Sequence, residues 1–286
     1  MKYVNVNEIA AKWNLSERSV RNYCAHGKIP GVILDGKTWR IPEDAVKPVR
    51  KKRAEKIAND LLTRLKMEKE AGIPGGIYHK VQIELTYNSN HMEGSRLTHD
   101  QTRYIFETNT IGIQDEVVNV DDIVETANHF RCIDQIIELA NYPLSEAFIK
   151  QLHYILKSGT SDSRKTWFAV GEYKRFENEV GGSATAKPAD VSGEMRNLLK
   201  RYNLSKQKTL KEIIQFHYEF EKIHPFQDGN GRVGITPFII EDDIKEFYYR
   251  GLKEWKNEQG YLMDTCLTAQ DRFKVYMDYF GLEYRD

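Results

Sequence analysis

HPFQDGNGRVGITPF, residues 224–238, brings a histidine, an aspartate, an asparagine, an arginine and three glycines into its first eleven positions. The segment before it, LKEIIQFHYEFEKI, reads as an amphipathic helix with Ile213, Ile214, Phe216, Phe220 and Ile223 on one face, so His224 falls where that helix ends. Pro225 stops the helix and Phe226 can anchor the following loop in the core. Gly229 and Gly231 allow backbone conformations closed to other residues. Successive N–H groups can then converge into a nest for an anion. Asn230 can donate from its amide, and Arg232 offers a bidentate grip on phosphate oxygens. Asp228 is a hard oxygen ligand suited to Mg²⁺ shared with phosphates, and His224 can take a proton near neutral pH. A base, a metal ligand and a phosphate cradle are what transfer from a nucleotide to a hydroxyl requires.

The rest of the chain frames this loop. Its 286 residues hold 40% hydrophobic and 29% charged side chains, as in an ordinary globular protein. No apolar run is long enough for a membrane span, and the N-terminus lacks the apolar stretch of a signal peptide. Cys24, Cys132 and Cys266 lie far apart, without metal-ligand spacing, so a reducing cytoplasm is the expected compartment. Net charge is zero, yet residues 1–70 carry 16 Lys+Arg against 9 Asp+Glu. A basic head of this kind fits an anionic partner, although a solvated lysine-rich surface gives the same count.

Residues 1–48 read as a small winged helix-turn-helix. Val6, Ile9, Ala10 and Trp13 have helical spacing. Ser16 is placed to cap a second helix, and Gly27 to stop it. KIPGVILDGKTWRIP then reads as two strands around Asp35-Gly36. A linker helix is expected within 49–76, after Pro48 and the basic run 50–53. From residue 77 the pattern is mainly α. Helices are expected over about 77–90, from Thr98 (a capping box with Gln101), and over 119–141, 145–158, 191–203 and 208–223. A helix-like tract over 240–282 is expected to be interrupted at Gly251 and Gly260. The exception is 171–191, where Gly181-Gly182 and Pro188 point to a hairpin or mobile loop.

The ordered His224-Pro-Phe-Gln-Asp-Gly-Asn-Gly-Arg232 resembles the signature of the Fic domain family, over roughly residues 55–286. The resemblance implies a mainly α fold: a Fic-type helical bundle with a short β-hairpin flap. It implies transfer of AMP from ATP, with Mg²⁺, to a Ser, Thr or Tyr hydroxyl of a target protein or of the chain itself. His224 would deprotonate the hydroxyl and Asp228 would hold Mg²⁺. Gly229, Asn230 and Gly231 would cradle the α- and β-phosphates, and Arg232 the outer ones. The flap would hold the target's backbone as an added strand. TYNSNHMEGS (86–95) resembles the family's inhibitory motif through Ser89, Glu93 and Gly94, which makes 77–95 an inhibitory helix. There the glutamate pairs with a second motif arginine and blocks the γ-phosphate.

Two departures stand against the family pattern. Ile235 occupies the place of the second arginine, and Thr236-Pro237 comes where a long helix should run, as though a segment were deleted after residue 234. Losing that helix removes its dipole, worth about 0.3–1 kcal/mol, from the nest, so weakened catalysis is expected. Residues 1–48 resemble the winged units of MerR-type regulators and excisionases, which implies DNA as a partner, met by Arg18, Arg21, Lys28, Lys37 and Arg40. Protein docking is the alternative for such a unit. Two other readings of the whole chain stand beside AMP transfer: a DNA-binding regulator whose degenerate Fic domain senses nucleotide, and removal of AMP with Glu93 orienting a water. A homodimer is left open, and no membrane partner is expected.

Overall fold

The computed structural model describes residues 2–25, 27–36, 38–48, 60–113, 117–234 and 238–284. The chain divides into two units, Met1–Ile57 and Ala58–Asp286. Lys37, the basic run 50–53 and residues 235–237 lie outside the described residues, and with them the Ile235 and Pro237 departures.

In the first unit, α1 (Val6–Trp13) starts at Asn5, whose side chain accepts from the Glu8 amide, and ends at Asn14 in the left-handed conformation. The α2 helix (Glu17–Ala25) follows Ser16, whose hydroxyl accepts from the Ser19 amide. β2 (Ile33–Asp35) and β3 (Thr38–Pro42) form the expected hairpin. A third strand, β1 (Tyr3–Val4), joins the other edge of β3 and gives the order β1-β3-β2. Two residues are too short to carry a strand pattern in sequence. Val6, Ile9, Trp13, Val20, Cys24, Ile29 and Ile41 fill the core between helices and sheet.

The second unit is mainly helical. In order come α3 (Leu61–Ala71), α4 (Ile77–Met92), α5 (His99–Thr108), α6 (Val120–Leu139), α7 (Glu146–Lys157), the hairpin β4 (Glu179–Val180) and β5 (Ser183–Ala184), α8 (Pro188–Tyr202), α9 (Leu210–Ile223), the single turn α10 (Asn230–Val233), α11 (Lys245–Glu254) and α12 (Gly260–Tyr279). Side-chain caps set many of the starts. Thr98 with Gln101 and Thr209 with Glu212 form full capping boxes, and Asp60, Asn119 and Ser145 accept from backbone amides. The main core lies between α7, α8 and α9, where Ile149, Leu152, Leu156, Met195, Phe216 and Phe220 close over Phe226 and Val233. A second cluster joins Ile214 to Phe238, Ile240, Tyr248, Trp255 and Leu262.

Two expectations change here. Pro188 does not end the hairpin region but opens α8 at its first position, where the missing N–H costs nothing. Gly251 does not interrupt a helix. It is buried inside α11, and a Cβ there would come within 2.7 Å of the Leu262 backbone, so the glycine lets α11 and α12 pack closely.

Candidate active site

The loop begins at the end of α9. His224 adopts the left-handed conformation (φ 49°) while its amide still donates to Phe220 O at 2.9 Å. This cap turns the chain sharply into Pro225 and Phe226. The Phe226 ring is fully buried and stacks on His153 with centroids 4.1 Å apart. The Asn230 side chain closes the loop on itself: Oδ1 accepts from Phe226 N (2.8 Å) and Nδ2 donates to Phe226 O (2.9 Å). Gly229 supplies the positive φ, 77°, that the turn into α10 needs; a Cβ there would press on Leu156.

Around the loop lies a buried charge network. Lys157, the last residue of α7, is almost wholly enclosed and donates to Glu125 of α6 and to Asp228 (2.6 Å), with Asp162 at 2.9 Å. Its ammonium occupies the centre of the only group of acidic side chains, among the described residues, spaced to hold a metal ion. Burial opposes the charge of Lys157, but the carboxylates outweigh it and raise the ammonium's pKa. Burial also opposes ionisation of Asp228, yet Lys157, and after it Arg232, hold that carboxyl at about 2. The Asp228 side chain remains 46% exposed, open on the side away from Lys157. Arg232 points inward: its guanidinium pairs with Glu125 and donates to Asn90 Oδ1 at 3.4 Å, and its Nε is buried without a partner.

A polar seam between α4 and α6 leads into this network. Gln82 donates to Asp134, Thr86 meets His129, and Asn90 donates to Thr126. Burial, with a smaller push from Arg232, lowers His129 to about 3, so its ring is neutral. His153 is likewise lowered to about 4, chiefly by burial. Its Nδ1 accepts from Gly171 N (2.9 Å) and its Nε2 donates to Asp228 O (3.2 Å), which fixes the neutral tautomer.

The α4 helix ends in a Schellman motif. Gly94, at φ 92°, lets its own amide reach His91 O (3.1 Å) and the Ser95 amide reach Asn90 O (3.0 Å). Glu93 is thereby fixed as the cap residue, and its carboxylate lies against Gly231, where an added Cβ would run into Oε1. Enclosure of the carboxyl tip raises its pKa; Arg232 pulls it down, while Glu221 and Asp228 push it up. Glu93 makes no ion pair with a described residue. Ser89 lies one turn upstream in α4, and its hydroxyl makes no hydrogen bond with the described residues.

On the other side, the segment leading into the β4–β5 hairpin is tied to the loop. Lys174 N donates to Pro225 O (2.8 Å), Asn178 Nδ2 to Phe226 O (3.0 Å) and Phe176 N to Gln227 Oε1 (3.3 Å). The Lys174 ammonium is buried on Asn178, Thr185 and Ile223 O, and burial lowers it to about 8 against the opposing pull of Glu194 and Glu177.

Residues 143–240, which contain this loop, match the model of the Fic/DOC family. The match lies wholly within the second unit. Residues 3–48 match the model of a helix-turn-helix domain. Among curated proteins, the chain is similar to protein adenylyltransferase Fic of Nematostella vectensis (27% identical over 197 residues, 59% of this chain and 42% of that one). It is also similar to that of Drosophila mojavensis (28% over 222 residues, 68% and 38%). The chain thus spans less than half the length of these relatives. Among solved structures, the fold resembles a Fic domain containing signaling protein from Bacteroides thetaiotaomicron (TM-score 0.56, 24% identical, 77% of this chain and 91% of that one). It also resembles a Fic family protein from Desulfovibrio desulfuricans (TM-score 0.59, 20%, 79% and 74%).

In the second unit, His224, Asp228, Gly229 and Gly231, all within the matched residues, meet Glu93, which lies before them, at one mouth. Asn230 and Arg232 sit differently from expectation. The Asn230 amide is spent on Phe226 and only its backbone faces the loop, while Arg232 is folded back onto Glu125. Glu125, Lys157, Asp162 and His153 are missing from the sequence reading. One signal for two of them existed: Ile149, His153 and Lys157 follow at spacings of four, along the apolar stripe of α7.

In the first unit, Arg18, Arg21, Lys28 and Arg40 are all exposed. Arg21 pairs with Glu17 (2.7 Å) and Arg40 with Asp35 (3.6 Å), while the Lys28 ammonium lies over the Tyr23 ring. No helix of the described residues is long and apolar enough to cross a membrane. All three cysteines are free and buried.

Proposed function

We propose that this chain transfers AMP from ATP to a hydroxyl of a protein, itself or another, at the mouth of loop 224–232, under restraint by Glu93. The observation that carries this reading is the meeting of two distant motifs: the Glu93 carboxylate rests on Gly231, at the point where the loop's backbone amides would receive phosphates. With Lys157 filling the three-carboxylate group, Asp228 alone keeps an open side for a divalent ion whose other ligands would be phosphates and water. Asp228 is ionised to low pH, half open, and held at one oxygen by Lys157, so Asp228 would hold Mg²⁺. Mg²⁺ there would neutralise charge on the phosphates.

The chain's own groups do the rest. His224, at the helix end, accepts the proton of the attacking hydroxyl. The Gly229–Gly231 backbone cradles the phosphates, and Arg232 reaches the outer ones by leaving Glu125. Glu93 repels phosphate across the same space, as a like charge does at short range. The β4–β5 hairpin offers its edge to an extended target segment. Residues 1–48 bind DNA through the exposed face of α2 and the wing.

Incubation with labelled ATP and Mg²⁺ tests the reading. Glu93→Gly is expected to raise label transfer over wild type, and His224→Ala to lower transfer by about 10²-fold or more. The absence of the second motif arginine and the inward set of Arg232 favour a rival, a regulator that senses nucleotide without transferring it. ATP binding with no label transfer in Glu93→Gly would establish that rival and end the proposal.

A further inference from the structure

We infer that Glu221 is a positioning residue for His224, holding its Nδ1–H and so presenting Nε2 to the incoming hydroxyl; this rests on the reading of His224 as the base. The two residues lie three apart at the end of α9, and the left-handed cap at His224 folds the imidazole back toward that last turn. Glu221 Oε2 is 3.7 Å from His224 Nδ1. That is beyond a hydrogen bond, yet each group is otherwise unanswered. His224 Nδ1 is buried with no partner, and so is Glu221 Oε1. Both side chains are mostly enclosed, at 17% and 12% exposure. No lysine or arginine of the described residues pairs with Glu221. His217 also lies near Glu221, with Nε2 on the Tyr248 hydroxyl and Nδ1 buried without a partner, but no ion pair or hydrogen bond joins it to Glu221.

A buried carboxylate without a cation thus faces a buried ring nitrogen without an acceptor. A movement of less than an ångström, or one bridging water, joins them; catalytic hydrogen bonds are often long before substrate binds. The consequence for the reaction is specific. The hydroxyl oxygen bonds to the α-phosphorus and its proton passes to Nε2. The bond from the α-phosphorus to the bridging oxygen breaks, with its electron pair leaving on pyrophosphate. The imidazolium so formed is stabilised by the carboxylate behind it, the logic of a base oriented by a third group. Charges facing the ring come from Glu221 on α9 and Glu93 on α4. Tyr248 and Tyr249 on α11 and His217 on α9 are packed around the same carboxylates.

The test uses the full chain with ¹⁵N-labelled histidine, with His224→Ala to assign the resonance. Wild type is expected to show the neutral tautomer with hydrogen on Nδ1. Glu221→Gln keeps an acceptor and retains that tautomer; Glu221→Met shifts it toward hydrogen on Nε2. In a Glu93→Gly background, Glu221→Met is expected to lower kcat by about 10²-fold while KM for ATP stays within about twofold. Hydrogen on Nε2 in wild type overturns the inference, and this needs no variant to fold. So does an unchanged tautomer in a folded Glu221→Met. If no variant transfers label, the AMP-transfer reading falls, while the tautomer still decides whether Glu221 positions the ring.

Discussion

Replacing Lys157 by Met is the sharpest perturbation of the charge network. Methionine fills much of the same volume but leaves Glu125, Asp162 and Asp228 facing one another without a cation. Their ligand oxygens lie within 4.8 Å of one another. At an effective dielectric constant of about 20, each carboxylate pair at that distance repels by about 3 kcal/mol. Proton uptake and solvation of the half-open Asp228 relieve part of this. The expected loss is then the one seen when one partner of a buried ion pair is removed, about 3–5 kcal/mol. For a unit of this size, that lowers the melting temperature by about 6–20 °C. Differential scanning calorimetry of the full chain at neutral pH, following the transition of the second unit, measures it. A second substitution, Asp162→Asn, removes one charge while keeping an acceptor for Lys165, and is expected to restore part of the loss. A Lys157→Met protein melting within a degree or so of wild type would refute the reasoning, because the carboxylates would then not depend on the ammonium.

Other outcomes follow from single contacts. His153 is neutral in the fold because burial lowers it from 6.5 to about 4, so the unfolded chain binds its proton first as pH falls. Stability should therefore drop from pH 6.5 to about 4, by about 3 kcal/mol for this group, and His153→Gln should flatten that part of the curve in urea titrations. Gly251→Ala forces a Cβ into the Leu262 backbone and should cost about 1–3 kcal/mol by chemical denaturation; a neutral result would mean that α11 and α12 are not in close contact. DNA binding by the full chain should weaken with salt. Arg18→Ala should reduce the slope of log K against log salt by about 1 in anisotropy titrations, more than Arg21→Ala, whose guanidinium is already shared with Glu17. Binding that ignores salt would remove DNA as the first unit's partner.

The helices were legible because their ends carry chemistry as well as their faces. Thr98 marks a start by accepting a backbone amide, as Ser145 and Thr209 do in the structure, and His224-Pro225 marks a stop. Gly251 was misread because a glycine that ends a helix and a glycine that lets two helices touch are the same letter; only the partner, Leu262, tells them apart. The loop's residue types pointed to its place but not to every side chain's task. Asn230 is polar in a phosphate-like loop, yet its amide meets backbone groups of Phe226 four residues earlier. Lys157 and Glu125 were hidden for a further reason. A charged residue on a helix reads as solvated, and Lys157, at the end of α7, and Glu125, within α6, become buried only because α6, α7 and the loop converge on them.

Three ties that shape the loop come from residues before Gly234: Asn230 to Phe226, Lys174 to Pro225, His153 to Asp228. The loop behaves like a clip closed from its upstream side. In an evolving lineage, a change of chain just after residue 234 would leave these three upstream contacts in place, while Phe238 and Ile240 still have to reach the core beside Ile214.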